Sequence, residues 1–285
     1  MTRLQFIKME GCRNDYVFLD GGLGSEAMRF PSDAPFAKWS QQLSDRHAGI
    51  GGDGLILLEP GLKNPVRMRM WNSDGSEGRL CLNGLRCAAK YVAEETTSGD
   101  QFTVETISGD RPVRVFRDTS GHVHEVEVRV GAPDFRRSAL PAHGTEDEIW
   151  GEPFQVGGQR LSGYAVSLGN PHLVFPLHEG MEQVPFEALG PLSTEARFPE
   201  GMNVHVMVPK SDRLDMCSWE RGTGPTLACG SGAVAVFAVA KRLGLVGNEA
   251  DVRMPGGTVH LSETDGVLVM RGPAREVFRG QIQVE

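Results

Sequence analysis

Short apolar runs, some continuous and some alternating with polar residues, recur through the first 130 positions: LQFIKM, YVFLD and LILLEP, then RMRMW, then QFTVET, VRVF and EVEVRV. Each is bounded by Gly, Asp or Ser, and apolar runs of this length with a period of two read as strands. One segment departs from that period. After the polar loop NSDGSEGRL, the stretch NGLRCAAKYVAEE carries its apolar residues at helical spacing. Residues 131–152 contain Pro, Arg, Ser and Gly and read as a linker or long crossing. The pattern then restarts: YAVSLGNPHLVF, NVHVMVP and RLDMCSWE as strands, GTGPTLACGSG as a glycine-rich turn, and AVAVFAVAKRLGLVG as an apolar helix ending near Gly244. A final strand, REVFRGQIQVE, could return to either half.

The two halves repeat one order of features. An asparagine ends an early strand (GCRNDY, 11–16; SLGNPH, 167–172); later, a strand ending in Trp71 or Trp219 runs through a Gly/Ser/Thr loop into a cysteine, Cys81 or Cys229, that opens a helix. Two copies are too few for a stacked solenoid. The expectation is an α+β fold of two pseudo-symmetric domains, each a mostly antiparallel sheet or barrel wrapped around a central helix. The domains are placed at residues 1–130, joined by the strand 275–285, and at 131–274, with an active site in the interdomain cleft.

Composition narrows the function. The chain of 285 residues carries 29 Lys plus Arg against 37 Asp plus Glu, a net charge of −8 that disfavours nucleic acid and acidic membranes as partners. The longest nearly apolar run, residues 227–240, is too short to cross a bilayer, and MTRLQFIKMEGCRNDY has no apolar signal core. Five cysteines, an odd number spread along the chain, argue against a disulfide framework and for a reducing cytoplasm. No His, Cys or acidic cluster has metal-ligand spacing, His122, His124, His205 and His260 being scattered, and no lysine has a recognisable cofactor context; neither metal nor cofactor is expected. GIGGDG (49–54) lacks the Lys-Ser/Thr of a phosphate loop and reads as a turn.

Cys81 and Cys229 each stand at a predicted helix N-terminus, where backbone N–H groups and the helix dipole favour a thiolate and can bind a carboxylate. Two such thiols suit proton removal from one face of a carbon and proton return on the other, which is racemisation or epimerisation. Cys12, Cys87 and Cys217 read as packing residues, in keeping with the burial of cysteine generally.

The blocks GCRNDY, DRHAGIGGDGLILLEP (45–60), MRMWNSDGSEGRLCLNGLRCAAKYV (68–92), SLGNPHLVF (167–175), GMNVHV (201–206), WERGTGPTLACGSGA (219–233) and MPGGTVHL (254–261) together make the chain similar to the cofactor-independent diaminopimelate epimerases over nearly its whole length. The resemblance implies that Cys81 and Cys229 are the acid/base thiols. It implies that the backbone around Leu82 and Asn83, and that of Gly230 and Ser231, holds the reacting α-carboxylate, while Asn14, Asn72, Asn170, Asn203, Glu220 and Arg221 bind the substrate's distal end. An adjacent Glu–Arg pair offers an acceptor for an ammonium and a forked donor for a carboxylate, although such pairs are also common surface ion pairs. His172, with Glu220, is a candidate for tuning a thiol, set against the ordinary structural histidine. The resemblance also implies a homodimer acting on a small amino-acid substrate.

Three positions differ from the family's usual pattern: Arg13 and Leu82 stand in place of Gly, and Pro225 in place of Glu. They leave open a racemase of another amino acid, histidine for instance, and a non-catalytic amino-acid binder that keeps the fold.

Overall fold

The computed structural model describes residues 2–178 and 180–284 and separates into two units, residues 1–129 with 271–285, and residues 130–270.

In the first unit the strands are β1 (Thr2–Gly11), β2 (Asn14–Asp20), β3 (Gly54–Pro60), β4 (Val66–Asn72), the short β5 (Glu77–Gly78), β6 (Gln101–Glu105), β7 (Arg111–Arg117) and β8 (Val123–Gly131). β1 and β2 form a hairpin, β2 runs parallel to β3, β3 and β4 are antiparallel, β4 runs parallel to β6, and β6, β7 and β8 form a meander. The C-terminal strand, Arg275–Val284, pairs antiparallel with the other side of β1, Thr2 facing Val284.

Two helices complete this unit. α1 (Phe36–Ser44) buries Phe36, Trp39, Ser40 and Leu43 at the i, i+3, i+4, i+7 spacing and packs them on Leu4, Val17, Leu55 and Trp71. The sequence pattern does not announce α1, because FAKWSQQLS is short, half polar and preceded by Pro31 and Pro35. α2 (Leu82–Glu95) is buried from Leu82 through Ala93, so its polar side chains need internal partners. Lys90 donates to the Val123 carbonyl at 2.7 Å and pairs with Glu94, while Arg86 donates to the Pro273 carbonyl at 3.1 Å.

The second unit repeats this order. Its strands are β9 (Trp150–Val156), β10 (Gln159–Ser167), β11 (Pro171–Pro176), β12 (Asn203–Pro209), β13 (Arg213–Glu220), β14 (Gly224–Thr226), β15 (Glu249–Met254), β16 (Gly257–Thr264) and the start of β17 (Val267–Pro273), whose residues from Arg271 on belong to the first unit. A hairpin, β10–β11, leads to the parallel pair β11–β12, the antiparallel β12–β13, the parallel β13–β15 and the antiparallel β15–β16. β9 flanks β10 just as the C-terminal strand, β18, flanks β1. YAVSLGNPHLVF is thus two antiparallel strands, joined through Leu168–Asn170 with Gly169 at φ 91°. Of the stretch 131–152, Arg137–Ala139 is a 3₁₀ turn and the end enters β9.

After a single helical turn, α3 (Gly190–Ser193), the main helix is α4 (Gly230–Arg242), buried from Gly232 to Ala240 with Ala, Val and Phe237 side chains. Its small residues allow strands to approach closely. Among the described residues no helix is long and apolar enough to cross a membrane.

Candidate active site

In the first unit the chemistry collects around the first turn of α2. Cys81 is its N-cap residue, in extended conformation, and its sulfur accepts from the Gly84 N–H at 3.4 Å. The thiol donates to Asn14 Oδ1 at 3.2 Å, and Asn83 Nδ2 donates to the same oxygen at 3.2 Å. Asn14 is held in turn by donating to Asp53 Oδ2 at 2.6 Å. Leu82 is the first helical residue and is buried, so the side chain adds apolar cover beside the thiol in a conformation leucine adopts without strain. The hairpin turn that presents Asn14 places Cys12 and Arg13 at φ 55° and 64°, both left-handed.

Three neighbours that the sequence reading did not assign support this cluster. Asp53, in the GIGGDG turn, also accepts from the Asp15 N–H at 3.0 Å; burial and the charge of Asp15 raise its carboxyl above the usual range. Asp15 itself forms an ion pair with Lys8 at 2.6 Å and with Arg46 at 2.7 Å; burial works to raise its carboxyl, but the hydrogen bonds from Arg46 and Lys8 outweigh burial and hold it low. Tyr16, fully buried on β2, has its hydroxyl hydrogen-bonded to Cys81 and Asn14; burial first, then the sulfur, push it well above its ordinary value, so it is a neutral donor. Asn72 is not drawn into this cluster. It is exposed at the end of β4 and donates to Ser76 Oγ at 2.9 Å.

In the second unit Cys229 caps α4 in the same way, its sulfur accepting from the Gly232 N–H at 3.3 Å and lying 3.7 Å from Ser231 Oγ. Here the expectation of a thiol lowered by the helix terminus does not hold. Burial, then the adjacent Glu220 carboxylate, push the Cys229 thiol well above its ordinary value, outweighing the Gly232 N–H and Ser231 hydroxyl that work to lower it. Glu220, at the end of β13, is hydrogen-bonded to this thiol and accepts from Thr226 Oγ1 at 2.6 Å.

Asn170 donates to Ser231 Oγ at 3.3 Å and accepts from His172 Nε2 at 3.0 Å. His172 is fully buried and reaches the thiol only through Asn170 and Ser231. Its Nδ1 lies 2.9 Å from His205 Nε2, and His205 Nδ1 lies 2.8 Å from Ser218 Oγ. Asn203 is a brace: its amide donates to the Pro171 carbonyl at 3.0 Å, and its oxygen accepts from the Arg221 N–H at 3.0 Å. The exposed Arg221 guanidinium donates to the Glu200 carbonyl at 2.6 Å.

His205 and Ser218 are the members sequence reading passed over. Both face inward from strands, and the one available signal is their alternation: His205 is two residues after Asn203, and Ser218 two before Glu220. Their pairing directly across β12 and β13 exists only once the register is formed. Among the described residues no group of three or more His, Cys, Asp or Glu side chains is placed to hold a metal ion.

Two α+β units of matched strand order, each capping its buried helix with a cysteine and placing an asparagine nearby, define a duplicated fold with one helix-capping thiol per copy. The fold is shared with a PhzF-family phenazine biosynthesis protein from Bacillus anthracis, at TM-score 0.68 and 15% identity over 100% of both chains. Residues 6–135 and 164–277 match the family model described as diaminopimelate epimerase, and the chain belongs to that family. It is 40% identical to the diaminopimelate epimerase of Bacillus velezensis, over 98% of this chain and 99% of that one, and 40% identical to that of Geobacillus kaustophilus, over 98% and 97%.

Proposed function

We propose that the protein is an isomerase that interconverts LL- and meso-2,6-diaminopimelate in the supply of lysine and peptidoglycan precursors, moving the α-proton with two thiols and no cofactor. One cysteine, as thiolate, takes the proton from the α-carbon, and the other, as thiol, returns one to the opposite face; in the reverse reaction they exchange roles. The observation that carries this reading is the pair of N-cap cysteines, each bound by the amide three residues on and each linked to an asparagine, Cys81 directly to Asn14 and Cys229 through Ser231 to Asn170.

Glu220 takes the Cys229 proton when that sulfur acts as base, since the two are already hydrogen-bonded. Around Cys81, Tyr16 and Asn14 stabilise whichever protonation state the step leaves. The first-turn amides of α2 (Leu82, Asn83) and α4 (Gly230, Ser231) point along the helix axes as donors for the α-carboxylate, whose charge grows as the proton leaves. Asn72, Asn203 and Arg221 would recognise the second amino-acid centre. The protein acts as a cytoplasmic homodimer, with a small amino acid as its ligand.

Incubating the protein with diaminopimelate in D2O tests the reading: deuterium should appear at an α-carbon. Cys81→Ala and Cys229→Ala should each lower epimerisation by at least about a thousandfold, as loss of a general acid or base within a paired mechanism does. No exchange with diaminopimelate but exchange with another amino acid would move the substrate assignment. No exchange with any amino acid would leave a binder.

A further inference from the structure

We propose that His205 and Ser218 are positioning residues: with His172, Asn170 and Ser231 they form a one-way hydrogen-bond wire, buried for most of its length, that holds a hydroxyl proton on the sulfur of Cys229. The links measure 2.8 Å from Ser218 to His205, 2.9 Å from His205 to His172, 3.0 Å from His172 to Asn170, 3.3 Å from Asn170 to Ser231 and 3.7 Å from Ser231 to Cys229. The proposal rests on the reading of Cys229 as an acid/base thiol.

The direction follows from the last acceptor. Ionised Glu220 can only accept, so the thiol beside it donates to it. The sulfur's remaining capacity is to accept, so Ser231 O–H points at it and Ser231 Oγ receives the Asn170 N–H. Asn170 then turns its oxygen to His172, whose Nε2 carries the hydrogen. A neutral imidazole with Nε2–H leaves Nδ1 as acceptor, which sets His205 in the same tautomer and makes Ser218 O–H the first donor. Both rings are neutral at physiological pH: burial carries His172 well below its usual value, helped by His205 and Arg221, and takes His205 down to about 3.

The fold itself does not require these polar groups. Strand register matches His172, His205 and Ser218 in the second unit to Tyr16, Ile56 and Met70 in the first, His172 facing Asn203 as Tyr16 faces Gly54. Ile56 and Met70 serve the same two places as apolar packing, both buried. Burying an imidazole and a hydroxyl where Ile and Met suffice costs desolvation that only complete hydrogen bonding offsets. The wire is complete from end to end, so its polar members answer to the sulfur it reaches.

The test reads tautomers and thiol reactivity without substrate. In 15N-histidine spectra of the wild-type protein, assigned with His172→Gln and His205→Gln, both rings should carry hydrogen on Nε2 and none on Nδ1. In Cys81→Ala protein, iodoacetamide modification of the Cys229 peptide, followed by mass spectrometry, should slow about tenfold with His205→Leu, the scale of one lost hydrogen bond. Ser218→Ala should slow it less, and His205→Gln, whose amide can donate from the place of Nε2, should restore most of the rate. Nδ1 protonation on either ring, unchanged modification in His205→Leu, or equal loss in the Leu and Gln variants would each overturn the wire. Failure of α-proton exchange would remove the epimerase reading and leave these results standing.

Discussion

The two units use one backbone plan to surround their thiols with opposite chemistry. In both, a glycine three residues after the cysteine lets the helix press on the neighbouring strand: a Cβ on Gly84 would lie 2.5 Å from Ile56, and one on Gly232 2.4 Å from His205. Beyond that shared contact they diverge. Cys81 meets a neutral phenol and an asparagine oxygen braced by Asp53, whereas Cys229 meets the Glu220 carboxylate and the hydroxyl of a histidine-lined column. Asn72 and Glu220 occupy matching strand ends, so an acid in place of an amide gives the second unit a carboxylate beside its thiol. A duplicated fold thus separates scaffold from chemistry: the capping geometry is common, and acid–base character is set by side chains on three strands.

The largest effect that probes this contrast is expected from Glu220→Gln. Epimerisation should fall about a hundredfold or more as a proton acceptor is lost. Yet the thiol should ionise more readily, because the carboxylate charge holds the Cys229 proton on; modification of Cys229 should therefore reach its half-maximal rate at lower pH. A shift to higher pH would show that Glu220 is not the group opposing ionisation.

Next in size is acid sensitivity. His205 has a folded value of about 3 against an ordinary ~6.5, so the unfolded chain binds the extra proton between those values. Its contribution is complete above pH 6.5 and declines as pH falls, by about 2 kcal/mol at pH 5. Urea midpoints measured from pH 7 to pH 5 should decline, and His205→Gln should flatten the decline.

Tyr16→Phe tests the opposite side, removing a neutral donor from Cys81; kcat/KM should fall about tenfold with Cys229 reactivity unchanged. A loss of Cys229 reactivity as well would mean the two thiols are not independently tuned. The smallest effect belongs to the turns that present the asparagines. Arg13→Gly relieves a left-handed non-glycine residue, as Gly169 already does in the second unit, and should raise the thermal midpoint by about 2 °C without altering turnover.

Much of this plan was legible because it lies in local pattern. The helices following Cys81 and Cys229, and strands such as LILLEP and NVHVMVP, announce themselves through apolar spacing and bounding glycines, and the cysteines stand where a capping residue must. α1 was hidden because only Phe36, Trp39 and Leu43 mark its face, and parallel strand pairs such as β2–β3 and β11–β12 leave no local trace. His205 looked like one scattered histidine among several. Its meaning depends on Ser218 across β13 and His172 across β11, contacts that follow from register. The rise in the Cys229 thiol was likewise hidden: the helix terminus is visible in sequence, but burial beside Glu220, which reverses its influence, is tertiary.

The pairing of β18 with β1 has a consequence for synthesis. β1 is made long before its partner, and one of its edges stays open until Arg275–Val284 has left the ribosome. Residues 130–270 are complete before that moment, so the second unit can close while the first still carries an exposed strand edge, the kind of template that invites pairing with other chains. Arg275–Val284 therefore acts as the seal on β1, and a chain ending near residue 270 should aggregate on release, with its Cys229 half folded and its Cys81 half unfinished.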